Sequence, residues 1–323
     1  MDARLLPFVL ILPVTLFLCV FFLYPFMLVA QQVVSTGAGF TLDNFREVVS
    51  YWKFPFSLRN TFPLALLVVP IQLALSLLMA TMVTRMDRGR DLVLYIWTIP
   101  LGISDLAAGI IWLAIVDQSG FLNSMMTGLG VTDAPVDFLS YQNPFMVFVA
   151  IMLAEIWRAT AIMLVIIVAS FGLIPKEYHE AADVFGASPW KRFLKVTLPL
   201  LRPSLQTALV LRVVLAFEVF AVVGALGGTL FPALMGEIYA YQFNLRNGGN
   251  AAALALIVLG ISLAFTLVIL RALRVTKGTT IRYDRRHLHR ARGGQHAPGG
   301  ARPLRRRCRV SDRLGPGAAL LPA

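Results

Sequence analysis

The strongest constraint on the fold is a series of six apolar stretches separated by polar segments. A helix needs about 20 apolar residues to cross the hydrocarbon core of a bilayer, so such a series predicts a chain that crosses it repeatedly. Hydrophobic residues make up 58% of the 323 residues and charged residues 14%, which excludes a soluble globular domain. We predict an all-α polytopic membrane protein with about six transmembrane helices, at 5–34, 61–84, 92–116, 144–171, 200–226 and 251–270.

The first stretch, 5–34, could be either a secretory signal peptide or a transmembrane helix. Its apolar region is longer than that of a typical signal peptide, and Pro7, Pro13 and Pro25 interrupt it. We therefore interpret it as an uncleaved first span.

Basic residues are distributed unequally among the loops. With the N-terminus in the cytoplasm, the inside loops contain Arg85, Arg88 and Arg90 and then five Lys/Arg within 174–203, whereas the outside loop at 117–143 contains none. The positive-inside rule therefore predicts that both termini and the 174–203 loop are cytoplasmic.

The net charge of +12 resides in the C-terminal part, where residues 271–323 hold 14 Lys/Arg and 2 Asp/Glu. The rest of the chain is balanced, so the basic patch that nucleic-acid binding requires is not indicated. We predict a transmembrane domain at 1–273 and a basic, disordered tail at 274–323. The tail is either a solvated segment near anionic headgroups or the result of a reading-frame change.

The sequence contains no pattern that indicates catalysis. A phosphate-binding loop of the GxxxxGK[ST] kind, an HExxH pattern and a GxSxG elbow are all missing. The two cysteines, Cys19 and Cys308, lie too far apart in sequence and environment to suggest a bridge or a zinc site. We expect neither an enzyme nor a bound cofactor or metal, and any ATP hydrolysis would take place on another polypeptide.

The charged segment 174–203 separates two membrane-length stretches and therefore lies in water beside the bilayer. Small residues follow Glu180 in a predicted short helix, which Ser188 and Pro189 are expected to end. A surface of small side chains allows the backbone of a partner to approach closely. We interpret this segment as a docking surface.

The segment contains an ordered set of residues, namely Glu180-Ala181-Ala182, Gly186-Ala187, Phe193, Val196, Leu198-Pro199 and Pro203. This set resembles the cytoplasmic EAA loop of permease subunits from bacterial ABC importers. The lead-in from Ile174 to Tyr178 is typical of the sugar-importing branch, and Phe185 stands where the family usually has Asp.

The resemblance covers residues 5–275 and implies the fold and partners of a type I ABC importer permease. It also implies a location in the bacterial inner (cytoplasmic) membrane. The implied partners are a second homologous permease, an ATPase dimer that binds ATP and Mg²⁺, and an extracytoplasmic binding protein that delivers a sugar such as maltose or trehalose. The implied ATPase-coupling residues are Glu180, Ala181, Ala182, Gly186, Ala187 and Pro199. The alternative is a secondary transporter or channel that works alone on a small polar solute.

Ionisable residues within the predicted spans are costly in lipid and should face the bundle interior or a wet cavity. Glu155 and Arg158 can pair on one helix face, whereas Arg212 should pair with another helix. Asp105 follows the helix break at Pro100 and has no evident local partner. With two glycines of an outward-facing loop, the predicted substrate path comprises Asp105, Glu155, Arg158, Glu218, Gly227 and Gly228.

Overall fold

The computed structural model describes residues 6–36 and 39–273. Within them, six segments are helical, long and apolar enough to cross a membrane, as the sequence predicted. They are Leu10–Val34, Lys53–Thr84, Asp105–Gly128, Pro144–Phe171, Pro189–Phe217 and Gly248–Ala272. The predicted tail, 274–323, lies outside the described residues.

The first span consists of α1 (Leu6–Leu18), a π-helical turn (Cys19–Leu23) and α2 (Tyr24–Val34). Between Leu10 and Val29 its large apolar side chains are exposed in the isolated chain, as expected of a helix that contacts lipid or another subunit. A hairpin of two-residue strands, β1 (Ser35–Thr36) and β2 (Gly39–Phe40), follows it.

The middle of the bundle is formed by α4 (Lys53–Thr84) and α8 (Pro144–Phe171). A short helix, α3 (Asp43–Ser50), precedes α4. Lipid is as apolar as a leucine side chain, so helices associate in a membrane through close packing, for which small residues are favoured. The buried alanines on facing helices follow this rule, at Ala65, Ala80, Ala150, Ala154, Ala208 and Ala216.

The predicted third span, 92–116, is not one continuous helix. It contains α5 (Arg90–Thr98), a 3₁₀ turn (Ile99–Gly102) and α6 (Asp105–Val116), after which α7 (Phe121–Gly128) extends the segment. Ser104 ends the interruption because its Oγ accepts a hydrogen bond from the Ala107 N–H at 3.2 Å and caps α6. The membrane-length segment therefore begins at Asp105 rather than at residue 92.

The predicted fifth span, 200–226, is wrong at both ends. After α9 (Lys176–Val184), a helical segment runs from α10 (Pro189–Arg192) through a π-helical turn (Phe193–Thr197) into α11 (Leu198–Phe217). The chain then leaves the helix at Glu218 and forms two short helices, α12 (Ala221–Leu226) and α13 (Leu234–Tyr239). A third π-helical turn (Ala240–Asn244) leads to α14 (Gly248–Ala272), the last span.

Candidate functional site

The helix at the centre of the 174–203 segment, α9, ends in a Schellman motif. The Gly186 N–H donates to the Asp183 carbonyl at 2.9 Å, and the Ala187 N–H donates to the Ala182 carbonyl at 3.0 Å. Gly186 has φ +68°, a left-handed conformation that favours glycine. Gly186 therefore closes the helix rather than lying within it.

The expectation that Ser188 and Pro189 end this helix is wrong, because they begin the next one. The Ser188 Oγ accepts from the Lys191 N–H at 3.4 Å, and Pro189 occupies the first turn of α10, where a proline needs no donor. Arg192 Nη1 donates to both carboxylate oxygens of Asp183, at 2.6 and 2.7 Å, and ties α10 back to α9.

The segment presents both polar and apolar side chains to solvent. Glu180, Ala181 and Gly186 are exposed, whereas Ala182 is only 8% exposed and packs within its own chain. Ala187 is half-buried, and Pro199 is exposed in the first turn of α11.

Large exposed apolar side chains beside α9 escaped the sequence analysis. Val184 is 85% exposed and Phe185 88%, and Leu173 and Trp190 are also exposed. Apolar patches of this kind commonly mark interaction sites. The signal available in the sequence was Phe185, which stands where the family usually has an acidic residue.

A cavity lies at the other end of the bundle. Trp52 and Lys53 at the start of α4 line it, whereas Thr84 and Arg85 at the end of α4 lie beside the 174–203 segment. Because α4 has 32 residues, about 48 Å of helix separate the two regions.

The cavity has a volume of about 790 Å³ and combines aromatic with polar walls. Phe220 and Tyr239 are stacked with their ring centroids 5.1 Å apart. The Tyr141 Oη lies 3.2 Å from the Thr229 Oγ1. Such a mixture of aromatic surface and hydroxyl, amide and charged groups suits a polar solute with apolar faces.

An ion pair also borders the cavity, with the Lys53 Nζ 3.9 Å from the Glu237 Oε1. Burial raises the pKa of Glu237, while the charge of Lys53 opposes this shift. The carboxylate therefore lies in a partly desolvated wall and is easier to protonate than an exposed glutamate.

The two predicted glycines of this region differ in their surroundings. Gly228 lines the cavity and has φ +49°. Gly227 is buried, and a Cβ there would lie 2.6 Å from the Cβ of Phe231 and 3.0 Å from the Val223 carbonyl. Gly227 therefore permits close packing, and Gly228 permits the turn beside the cavity.

A network of buried charges joins three helices in the middle of the bundle. Arg212 on α11 is fully buried, and its Nη2 lies 2.8 Å from the Glu155 Oε2 on α8. Its Nε donates to the Gln72 Oε1 on α4 at 2.6 Å, and the Gln72 Nε2 donates to the Glu155 carbonyl at 2.8 Å. The prediction that Arg212 pairs with another helix is confirmed.

Arg158 extends this network to α6. Its Nη2 lies 3.6 Å from the Glu155 Oε1, as predicted, and its Nη1 lies 2.7 Å from the Asp105 Oδ1. Asp105 has no local partner, as the sequence indicated, and is paired instead by a helix about 50 residues away in sequence. Two cations and two carboxylates balance one another within the network.

The structure brings together only part of the predicted substrate path. Asp105, Glu155 and Arg158 belong to the buried network, and among the six residues only Gly228 appears in the described lining of the 790 Å³ cavity. Glu218 is exposed where α11 ends. The aromatic residues of the cavity were missed because the stretches that supply them are far apart in sequence.

Comparison with known proteins identifies the family of this chain. Residues 72–275, more than half of the chain, match the family described as the inner membrane component of binding-protein-dependent transport systems. The chain belongs to this family. The resemblance of the 174–203 segment to an importer permease is confirmed, and membership decides against a transporter or channel that works alone.

Characterised relatives match most of the chain. The trehalose/maltose transport system permease MalF of Thermococcus litoralis is 31% identical over 237 residues, which cover 71% of this chain and 78% of MalF. The sulfoquinovosyl glycerol permease SmoG of Agrobacterium fabrum is 29% identical over 290 residues, which cover 84% and 91%.

A solved structure confirms the fold. A chain of a bacterial ABC transporter that imports alginate superimposes with a TM-score of 0.74 at 22% identity, over 84% of this chain and 96% of that one.

From its family, the chain is a multi-pass inner-membrane permease subunit of a binding-protein-dependent ABC importer. As a permease component it is not an enzyme and binds no cofactor, and a separate subunit carries the ATPase.

Proposed function

We propose that this chain moves a carbohydrate, of the size of maltose, trehalose or a short oligosaccharide, across the inner membrane. An extracytoplasmic binding protein delivers the sugar, a second homologous permease completes the path, and an ATPase dimer docks on the 174–203 segment. Both termini are cytoplasmic, and residues 1–273 form the permease domain. Residues 274–323 form a basic tail.

The observation that carries the sugar proposal is the cavity bounded by Phe220, Tyr239, Tyr141 and Trp52. Pyranose rings present C–H faces that pack on aromatic rings and hydroxyl groups that need hydrogen-bond partners. The volume of the cavity, about 790 Å³, falls in the range of small-molecule sites and is large enough for a disaccharide. Transport relatives that act on glycosides support the same substrate class.

The predicted path residues then divide into two roles. Gly228 and Gly227 shape the cavity wall, with Glu218 at the preceding helix end. Asp105 and Arg158 hold α6 against α8, and Glu155 holds α8 against α11 through Arg212. Their role is to position the helices that bound the path, since buried pairs fix the relative position of the elements that carry them.

The exposed surface around α9 supports ATPase docking. Glu180 supplies a charge, Ala181 and Gly186 leave room for a close approach, and Val184 and Phe185 supply apolar contact. Closure of the ATPase would bias a two-state equilibrium of the permease pair between outward and inward access.

The docking proposal is tested by co-purification of the ATPase subunit with Gly186→Asp. A matched control is Gly89→Asp, because Gly89 also has a positive φ, +75°, and open space around its Cα, and lies at the same end of the bundle. Loss of the ATPase from the Gly186 variant alone supports docking. Equal retention by both variants contradicts it.

The sugar proposal is tested in proteoliposomes that contain the complete transporter and its binding protein. Tyr239→Ala removes one aromatic wall of the cavity and should lower ATP-driven uptake of labelled trehalose or maltose. Tyr95→Ala removes an exposed tyrosine outside the described cavity lining and should leave uptake unchanged. Equal uptake by the Tyr239 variant and wild type would place the path elsewhere.

A further inference from the structure

Two adjoining cavities lie at the end of the bundle opposite to the sugar cavity, between the end of α4 and the start of the fifth span. One has a volume of about 540 Å³ and is lined mainly by apolar side chains, among them Leu77, Leu78, Trp190 and Phe193. The other has a volume of about 450 Å³. Because Arg85 and Phe193 line both, the two cavities form one continuous groove.

The second cavity is strongly basic. Arg85, Arg90, Lys176 and Arg192 line it, and its described lining contains no acidic residue. Arg192 is paired with Asp183, but the other three cations form no ion pair with any residue in the described ranges. Three uncompensated positive charges therefore surround a cavity that opens beside the membrane.

A polar atom without a partner lies in the same wall. The Nδ1 of His179 is buried and has no hydrogen-bond partner among the described residues. A buried polar atom left in this way costs free energy unless a ligand or water completes its hydrogen bond. The wall is thus incomplete in its hydrogen bonding as well as in its charge.

We propose that this groove binds one anionic phospholipid. The phosphate occupies the cavity of Arg85, Arg90 and Lys176, and one acyl chain lies along Leu78 and Trp190. The groove lies where two membrane-length helices end, because Thr84 at the end of α4 and Phe171 at the end of α8 both line it. Basic pockets between transmembrane helices are suited to anionic headgroups, and the apolar cavity beside this one matches an acyl chain.

The lipid is favoured over other ligands by the union of the two cavities. A soluble phosphate would use the basic cavity and leave the apolar cavity of about 540 Å³ unfilled. A neutral lipid would fill the apolar cavity and leave three cations without counter-charge. Only a ligand with both an anionic headgroup and an alkyl chain satisfies both walls.

The test uses Trp190 as a reporter in the full-length chain, purified in a neutral detergent. Brominated acyl chains quench tryptophan fluorescence at short range, so brominated phosphatidylglycerol is titrated into the sample. The Trp190→Phe variant identifies the part of the quenching that arises at this groove, since four other tryptophans are present. We expect saturable quenching by brominated phosphatidylglycerol and little by brominated phosphatidylcholine at the same concentration.

Charge variants then locate the headgroup. If each cation contributes on the order of 1 kcal/mol, Arg85→Gln should weaken phosphatidylglycerol binding about fivefold. The triple variant Arg85→Gln, Arg90→Gln and Lys176→Gln should then weaken it roughly a hundredfold. A matched triple variant, Arg88→Gln, Lys195→Gln and Arg202→Gln, removes the same charge from the same end of the bundle and lines neither cavity. It should bind nearly as wild type.

Four results would overturn the proposal. Equal quenching by both brominated lipids would show a groove filled by any acyl chain, and equal weakening by the two triple variants would show only a general surface field. Displacement of the lipid by millimolar inorganic phosphate would assign the site to a free anion. Loss of the Trp190 signal once the second permease and the ATPase are bound would assign the groove to a protein partner. Retention of the signal in the assembled transporter supports the lipid.

Discussion

Two ion pairs of nearly equal length lie in opposite environments. The Arg212–Glu155 pair measures 2.8 Å and is almost completely removed from solvent, whereas the Arg192–Asp183 pair measures 2.6 Å and its aspartate is 56% exposed. Water competes for the second pair and screens it, so such pairs contribute between about 0 and 1 kcal/mol. Removing one partner of a buried pair costs about 3 to 5 kcal/mol, because the other charge is left unpaired.

The difference also concerns function. The buried pair joins α11 to α8 in the middle of the bundle, where a change of register would move the helices that we propose bound the substrate path. The exposed pair only ties α9 to α10, within the segment that we propose as the docking surface for the ATPase. The contribution of these ion pairs to stability therefore depends on their burial, and their length alone does not predict it.

The largest effect is expected for Arg212→Met. It leaves Glu155 without its main partner, and the free energy of unfolding should fall by about 3 to 5 kcal/mol. Denaturant titration of the purified chain in detergent measures this. The double variant Glu155→Gln with Arg212→Met should recover much of the loss, since no lone carboxylate remains. If the unfolding free energy of Arg212→Met lay within about 1 kcal/mol of the wild-type value, the difference between the buried and the exposed pair would be contradicted.

A smaller effect is expected for Asp105→Asn, because this carboxylate is half exposed and Arg158 keeps Glu155 as a second partner. The loss in unfolding free energy should be about 1 kcal/mol, between the two extremes. Asp91→Asn serves as the control, since Asp91 is exposed and forms no ion pair with any described residue. A loss as large as that for Arg212→Met would show that the network acts as one unit.

A still smaller effect is expected for Asp183→Asn at the docking segment. The change in unfolding free energy should lie below about 1 kcal/mol and shrink further at high salt, because surface charges are screened within about 10 Å at 0.1 M salt. The same titration in low and high salt checks this. A salt-independent loss would mean that the pair is effectively buried.

The smallest effect is expected for Glu237, where Lys53 offsets part of the burial cost. Because the pKa of Glu237 is raised on folding, keeping it ionised costs stability, and this cost is fully present above the raised pKa. It vanishes below the ordinary glutamate pKa of about 4.3, where folded and unfolded chains are both protonated. The stability contribution of this group therefore improves as pH falls through that window. Thermal unfolding from neutral to mildly acidic pH should show this trend in wild type and lack it in Glu237→Gln.

Hydropathy located the fourth and sixth spans closely, whereas α4, although also uninterrupted, begins eight residues before the predicted second span. The fourth span is Pro144–Phe171, as predicted, and the sixth differs from the prediction by two or three residues at each end. The third and fifth failed where polar or conformationally special residues break the helix, at Ser104 and Glu218. An apolar average over about 19 residues is insensitive to such local breaks.

Of the two candidate sites, the sequence revealed one and not the other. The ordered set from Glu180 to Pro203 was recognisable because the segment is contiguous, and Gly186 is where a Schellman motif requires a glycine. The cavity was not recognisable, since Trp52, Tyr141 and Tyr239 come from three separate stretches. Only Gly228 of the predicted path lines it.

The sequence by itself determined the number of spans, the family and the segment expected to meet the ATPase, because these depend on local composition and on the order of contiguous residues. The tertiary structure decided which charges pair and which residues share a cavity. Asp105 received Arg158, and Arg212 received both Glu155 and Gln72, from helices far apart in the chain. Such partners depend on how helices pack, and hydropathy carries no information about which helix faces which.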